Sequence, residues 1–470
     1  MTRLDHYRFV LVGYITDMPT VRGPAPVELP QVMTIAGSDS GGGAGIQADL
    51  KTMEALDTFA TSAITSITAQ NTVGVESIHP VPVEEIEAQV EAIRTDFDLQ
   101  AVKTGMLGVE PVVERVASYA ADMDVPFVVD PVMVAASGDQ LLDHDAAAAY
   151  EGLIAESTVV TPNADEAEIL TDIPIEDPDS MQAAGQRLVE MGADTALVKG
   201  GHVGDEHVVR DVIVTRDDVT TLEHSRVDSD ATHGSGCTLS SAIAARLAHG
   251  DDIPEAIESG VAFMTRAIRY PLDVGEGPGP VHHLANIRDR SARQPTQEAV
   301  ESVVEQLVSA GVSSIVPEVG MNVVGATPYA ERPEETVAVE GRIARTMTGI
   351  RVTRGTRFGA SSHVARFLLS AREHDPDIRL AANLRFDDSI EAALEKIDAP
   401  VVEIDRSNEP EPDEEGSTMG WAAERAFEQV ETTPAVVFDR GDVGKEPITR
   451  LLASDAADLA ARALSIAEEL

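Results

Sequence analysis

From Val32 onward, short apolar runs alternate with segments whose apolar residues recur every three or four positions. Val32–Ala36 (VMTIA) predicts a buried strand and Gln47–Leu56 a helix. Thr61–Thr68 predicts a strand, Glu84–Thr95 a helix, and Ala101–Thr104 a strand that turns at Gly105. Val125–Val129 (VPFVV), Ser157–Val160 and Thr195–Val198 are further runs with strand character. Short apolar strands between helices imply a mainly parallel, doubly wound α/β sheet covered on both faces. Ligands of such sheets sit beyond the carboxyl ends of the strands. Polar residues cluster at those ends: Gly37–Asp39, Lys103–Met106, Asp130-Pro131, Pro162-Asn163 and Lys199–His202.

This pattern stops near Gly275–Pro280 (GEGPGP). Adjacent His282 and His283 are expected to close the first domain. The polar stretch Arg288–Gln297 predicts a linker. A second, smaller α/β domain follows, with a helix at Glu298–Ala310 and strands at Ser314–Val316, Val401–Ile404 and Ala435–Phe438. Glu409–Ser417 (EPEPDEEGS) predicts a solvated loop. The expected boundaries are a tail or over-long start at 1–30, domains at 31–284 and 298–470, and a linker at 285–297.

The charge balance is unusual. The net charge is -46, and only five of the 35 basic residues are lysines. An acidic surface spread along the whole chain suits a high-salt cytosol, where carboxylates stay hydrated and repulsion is screened. An acidic region for basic partners is the alternative. Duplex nucleic acid needs clustered Lys and Arg, so that class of partner is not expected. The single cysteine excludes an internal disulfide and a CxxC metal site. No run approaches the ~18 apolar residues of a membrane span. No signal peptide is expected, and the location expected is cytoplasmic.

Two phosphate motifs fail. Gly45–Thr52 has P-loop spacing, but Leu50 replaces the second glycine. Gly41–Ile46 lacks the third glycine of a dinucleotide fingerprint. The stretch Asp230–Ser240 (DATHGSGCTLS) is more informative. Cys237 stands between a glycine-rich turn and a helix predicted at Thr238–His249. The first amides of a helix lack intrahelical partners, and glycines let them approach an anion. An anion hole with a titratable side chain is one reading. A small residue packed under a turn is the other.

Seven stretches decide between them: AGSDSGGGAGIQADLKT (36–52), ITAQNT (67–72), VKTGML (102–107), VVDPVM (128–133), TPNADEAEIL (161–170), VKGGH (198–202) and HGSGCTLS (233–240). In this order they resemble the hydroxymethylpyrimidine and phosphomethylpyrimidine kinases of thiamine synthesis, which are ribokinase-like. The resemblance runs from about Val32 to His283. It implies two successive ATP-dependent phosphorylations of the hydroxymethylpyrimidine. Gly37, Asp49, Gln70 and Met106 would lie near the pyrimidine. The carboxamide of Gln70 offers a donor and an acceptor on one side chain. Asn163, Glu166, Lys199 and Ser235 would serve ATP, and Asp130 and Glu166 would serve Mg2+. Cys237 would accept a proton as a thiolate, its pKa lowered by the helix terminus, with Gly234 and Gly236 shaping the anion hole. Ser235 stands where the family has threonine, which keeps the hydroxyl. Pyridoxal-type kinases are the nearest alternative.

The second half carries VPEVGMNVVGATPYA (316–330), VAVEGRIAR (337–345), FGASSHVAR (358–366), AANLRF (381–386) and DRGDVGKEP (439–447). These resemble the archaeal-type thiamine-phosphate synthase domain. That implies condensation of the pyrimidine diphosphate with a thiazole phosphate and release of pyrophosphate. Arg342 would bind the leaving group and His363 would donate to it. Lys445, Asn383 and Asp442 are further phosphate-side candidates. A non-catalytic thiamine-phosphate sensor is the other role this resemblance allows. Sensors carry a DNA-binding segment where this chain has a kinase, which favours catalysis. The expected partners are these small molecules, with no membrane or nucleic acid, in a homo-oligomer.

Overall fold

The computed structural model describes residues 27–133, 146–201, 203, 207–347, 349–406, 409, 417–442 and 446–470. The tail expected at 1–30 and His202 fall mainly or wholly outside them. The chain divides into two compact units, 1–281 and 282–470.

In the first unit the strands are β1 (Gln31–Ala36), β2 (Phe59–Ile64), β3 (Ser66–Gln70), β4 (Val75–Pro80), β5 (Leu99–Thr104), β6 (Phe127–Val129), β7 (Val159–Val160), β8 (Thr195–Val198), β9 (Val208–Thr215) and β10 (Val219–Ser225). The helices are α1 (Gly45–Ala55), α2 (Val83–Arg94), α3 (Glu110–Asp122), α4 (Ala146–Ala155), α5 (Ala164–Thr171), α6 (Pro178–Met191), α7 (Ser235–Ala248) and α8 (Ile253–Arg269). Eight strands form one sheet in the order β10-β9-β8-β7-β6-β5-β1-β2. Neighbours from β2 to β8 are parallel, while β9 and β10 add antiparallel at one edge. The expected doubly wound, mainly parallel sheet is therefore present.

Period-two burial explains why both faces are covered. Met33, Ile35, Val102, Phe127, Val129, Ala196 and Val198 pack with residues of α2 to α6. Their neighbours Val32, Ala101, Val128, Val159 and Leu197 pack with Met53 of α1 and with α7 and α8. The strand expected over Thr61–Thr68 is broken. The Thr65 amide still bonds to Ala36, and its hydroxyl donates to the Met106 carbonyl at 2.6 Å. The chain then leaves the sheet to form the β3–β4 hairpin.

The second unit contains β11 (Val323–Ala326), β12 (Thr336–Val339), β13 (Ile343–Thr346), β14 (Gly349–Val352), β15 (Thr356–Phe358), β16 (Leu380–Arg385), β17 (Val401–Ile404), β18 (Val436–Asp439) and β19 (Ile448–Ala453). Its helices are α9 (Ala285–Ser291), α10 (Arg293–Ala310), α11 (His363–His374), α12 (Asp388–Leu394), α13 (Ser417–Phe427) and α14 (Ala456–Glu468). The main sheet runs β15-β12-β11-β16-β19-β18-β17, and only β17 and β18 pair parallel. One face packs α10, α12 and α14, and the other packs α11 and α13.

Two expectations fail here. Ser314–Val316 is a 3-10 turn over Ser313–Ile315, with Ile315 buried, not a strand. The stretch expected as a linker is helical, in α9 and the start of α10. Asp289 is buried and accepts the Tyr329 amide, so this segment is part of the second unit's packing. The division between the units falls beside His282, where the first domain is expected to close, and His282 is edge-on to Tyr329. Within the expected loop at Glu409–Ser417, Glu409 pairs with Arg406 at 3.5 Å in a buried setting. Ser417 opens α13, and residues 410–416 lie outside the described residues.

Candidate active site

Helix α7 begins at Ser235, two residues before Cys237, so the cysteine lies inside the first turn. Gly234 caps it in a left-handed conformation, φ 83°. Geometry leaves the amides of Gly236 and Cys237 without intrahelical acceptors. A Cβ placed on Gly236 would stand 3.5 Å from Lys199 Nζ and 3.6 Å from Asp130 Oδ2. The lysine ammonium and the open helix end thus face the same small volume.

Lys199 enters from the end of β8, where its amide bonds to the Pro162 carbonyl. Its ammonium lies 3.2 Å from Asp130 Oδ1 and 4.0 Å from Glu166 Oε2. Burial lowers its pKa, but Asp130 and Glu166 outweigh that, and the net shift is upward. Asp130 also accepts from Thr161 and Ser240, each at 3.4 Å. Asn163 caps α5 and forms a reciprocal box with Glu166, both bonds being 2.8 Å. Burial, and then the charge of Asp130, push the Glu166 carboxyl up to about 7, against the pull of Lys199.

The other predicted group lies around the loop after β1. The Gly37 amide donates to the Met106 carbonyl at 3.1 Å. Gln70, at the end of β3, exchanges backbone bonds with the Ser40 hydroxyl. Asp49 does not line this region. It is fully buried, paired with Lys103 at 2.8 Å, and bonded by Thr34 and Ser241. Three donors hold this buried carboxylate beneath the loop, where its charge is paired with Lys103. The expected thiolate of Cys237 is also corrected. Burial is the largest influence and pushes the thiol up to about 12, despite Lys103 nearby. It is protonated at neutral pH.

The sequence reading missed two positioning pairs. Asp39 Oδ2 lies 3.0 Å from His233 Nε2. Asp211 accepts the Gly200 amide at 2.8 Å and lies 3.2 Å from His224, holding the turn after Lys199. An Asp before a glycine run is an Asx-turn signal that points to the first. The second depends on β9–β10 pairing, which no local pattern reveals.

In the second unit, Arg342 follows Gly341 in the tight turn between β12 and β13. Both have positive φ, 79° and 76°. A non-glycine residue there is strained, which is common where a side chain is held for function. Its guanidinium donates to the Val319 carbonyl. Asn383 is buried and bonds to the Asn322 amide at 2.7 Å and the Gly320 carbonyl at 3.2 Å. Asn383 pairs in register with Arg450, whose guanidinium lies 3.0 Å from Asp439. Arg342, Asn383, Arg450 and Asp439 thus gather at the sheet end where β11 begins. His363 opens α11 and is exposed beside Ser362. Among the described residues, no hydrogen bond or ion pair joins it to Arg342. Asp442 follows Asp439 in the next loop, and Lys445 lies outside the described residues.

The first unit's fold and site define a class: an α/β protein in which a helix N-terminus and a strand-end lysine face one small volume at the carboxyl ends of the strands. The comparisons sharpen this. The phosphomethylpyrimidine kinase family matches residues 39–282, and the thiamine-phosphate synthase ThiN family matches residues 299–465. A hydroxymethylpyrimidine/phosphomethylpyrimidine kinase of Haemophilus influenzae is 46% identical over 265 residues, 55% of this chain and 98% of the relative. The thiamine biosynthesis bifunctional protein ThiED of Geobacter sulfurreducens is 44% identical over 273 residues, 57% of this chain and 55% of that protein. The solved pyridoxal kinase of Staphylococcus aureus in complex with ADP is 34% identical, with a TM-score of 0.52, covering 56% of this chain and 96% of that one. The chain belongs to the phosphomethylpyrimidine kinase family, with a ThiN-type unit behind the kinase.

Proposed function

We propose that the first unit transfers the γ-phosphoryl group of ATP to 4-amino-5-hydroxymethyl-2-methylpyrimidine, then to its monophosphate. The observation that carries this is the convergence of Lys199, Asp130 and the open first turn of α7 at Gly236. The substrate oxygen attacks the γ-phosphorus, the bond to the bridging oxygen breaks, ADP leaves, and in the first transfer the hydroxyl proton passes to an oxygen of the transferred phosphoryl group and on to solvent. Lys199 and the amides of Gly236 and Cys237 meet the charge on the transferring oxygens. A thiol with pKa near 12 is a poor base, so we assign it a filling and donor role beneath the helix end. Asp130 and Glu166 are two close, buried oxygen donors of the kind that a hard cation prefers. They would hold Mg2+, which supplies charge neutralisation on the nucleotide phosphates.

For the second unit we propose condensation of the diphosphate with thiazole phosphate. Arg342 and His363 would serve the departing pyrophosphate, and Asn383 would support that sheet end. A kinase unit that makes the diphosphate stands in front of it, which supports turnover over a sensor role. The net charge of -46 supports a cytoplasmic enzyme of high salt, which we take to be a homo-oligomer. Among the described residues, no helix is long and apolar enough to cross a membrane.

Purified protein in molar KCl should release ADP with the hydroxymethylpyrimidine and yield its diphosphate. Folded protein that releases none contradicts the kinase assignment. The pyridoxal kinase neighbours favour pyridoxal as a second substrate. Competition between the two alcohols decides which has the higher kcat/KM.

A further inference from the structure

Two glycine turns meet at the kinase site, and one side-chain pair ties them together. We propose that Asp39 and His233 form a clamp that sets the distance between the pyrimidine end and the phosphoryl end of this site. The proposal rests on the kinase reading above and adds a positioning pair to it.

The buried carboxylate of Asp39 organises the loop after β1. Its Oδ1 accepts the Gly41 amide at 2.8 Å. Its Oδ2 accepts the amides of Gly43 at 2.9 Å and Ala44 at 2.7 Å. The loop is thus wrapped around one anion. The remaining contact crosses the site, to His233 Nε2 at 3.0 Å. A carboxylate can only accept, so Nε2 carries the hydrogen. Burial raises the Asp39 pKa, but His233 and the amides outweigh it and hold the group ionised.

Each partner leads to a different part of the chemistry. On one side the Ile46 amide bonds to the Gly37 carbonyl at 3.0 Å, next to Met106. On the other, His233 immediately precedes Gly234, the cap of α7. The two turns interlock closely. A Cβ on Gly43 would stand 2.5 Å from the His233 ring, and one on Gly234 would stand 1.9 Å from the Gly43 carbonyl oxygen. Lys51 braces the loop from outside, donating to the Gly42 carbonyl at 2.6 Å. His233 and Asp39 are bonded to each other and to backbone, so they act by position.

The test uses the full chain with His233→Phe, His233→Gln and Asp39→Asn. It reads kcat and both KM values, and amide exchange in peptides spanning 38–46. A displacement of about 1 Å costs on the order of 100-fold in rate. His233→Phe should therefore lower kcat by roughly 10- to 100-fold, with a smaller effect on either KM. Exchange at 41–44 should quicken. His233→Gln keeps an N–H donor within reach and should recover much of both losses. Asp39→Asn keeps the volume, loses acceptor strength, and should move both readouts the same way. Wild-type kcat in His233→Phe, unchanged exchange at 41–44, or a glutamine variant no better than phenylalanine would overturn the clamp. If His233→Phe does not fold, Asp39→Asn decides by the same two readouts. A wild-type protein inactive on every alcohol would count against the kinase reading. The exchange measurement needs no turnover and still decides the clamp.

Discussion

Gly234→Ala is the most revealing single change in the first unit. The new Cβ would stand 1.9 Å from the Gly43 carbonyl oxygen and 3.0 Å from its carbon. Ordinary non-bonded separations are roughly 3.5 Å, so the overlap is severe. The obstacle is backbone and cannot rotate aside. The φ of 83° adds roughly 1–2 kcal/mol for a residue with a Cβ. Overpacking of this kind costs about 1–3 kcal/mol more. The sum, about 2–5 kcal/mol, leaves a typical domain folded. The turn must therefore shift, carrying the amides of Gly236 and Cys237 with it. A shift of about 1 Å predicts a fall in kcat of roughly 100-fold. The assay is ADP release in molar salt, with denaturant unfolding alongside. Gly152→Ala in α4 is the control, because the nearest neighbour of a Cβ there is the Ala117 Cβ of α3, at 4.0 Å. That change should gain about 0.5–1 kcal/mol and leave kcat alone. Full kcat in folded Gly234→Ala would refute the placement of phosphoryl transfer at this turn.

Other outcomes follow from the same geometry. Glu166 has a folded pKa of about 7, raised from 4.5, so the folded state prefers it protonated. Its contribution is fully present below pH 4.5 and is lost as pH rises through 7. Glu166→Gln should therefore stabilise the folded state at pH 8, by at most about 3 kcal/mol, and not at pH 4, as read by denaturant unfolding. An equal gain at both values contradicts the burial argument. With its pKa near 12, Cys237 should be alkylated by iodoacetamide at pH 8 far more slowly than free cysteine, as read by mass spectrometry. Arg342→Ala and His363→Ala should each abolish thiamine phosphate formation from supplied diphosphate while ADP release persists. Unchanged synthesis in both contradicts their roles.

The parallel core was legible because β1, β5, β6, β7 and β8 are buried on both faces and read as apolar runs. The same logic failed for α9 and the start of α10. A helix that buries one stripe has the polar composition of a linker, and burial of Asp289 depends on a partner forty residues away. The 3-10 turn at Ser313–Ile315 was misread because three residues cannot distinguish a turn from a strand. At the site, motif order pointed to Lys199, Asp130, Glu166 and the α7 turn, which lie near one another in the structure. It could not show that Asp49 is buried in a pair with Lys103, because the partners are fifty-four residues apart. Nor could it show that burial outweighs the helix dipole at Cys237.

The most direct test of the whole account is one reaction mixture. It contains the full-length protein, hydroxymethylpyrimidine, thiazole phosphate, ATP and magnesium in molar KCl. The expected products are thiamine phosphate together with pyrophosphate, and ADP in a two-to-one ratio to thiamine phosphate. Accumulation of the pyrimidine diphosphate without thiamine phosphate would contradict a catalytic second unit, and absence of ADP would contradict the first.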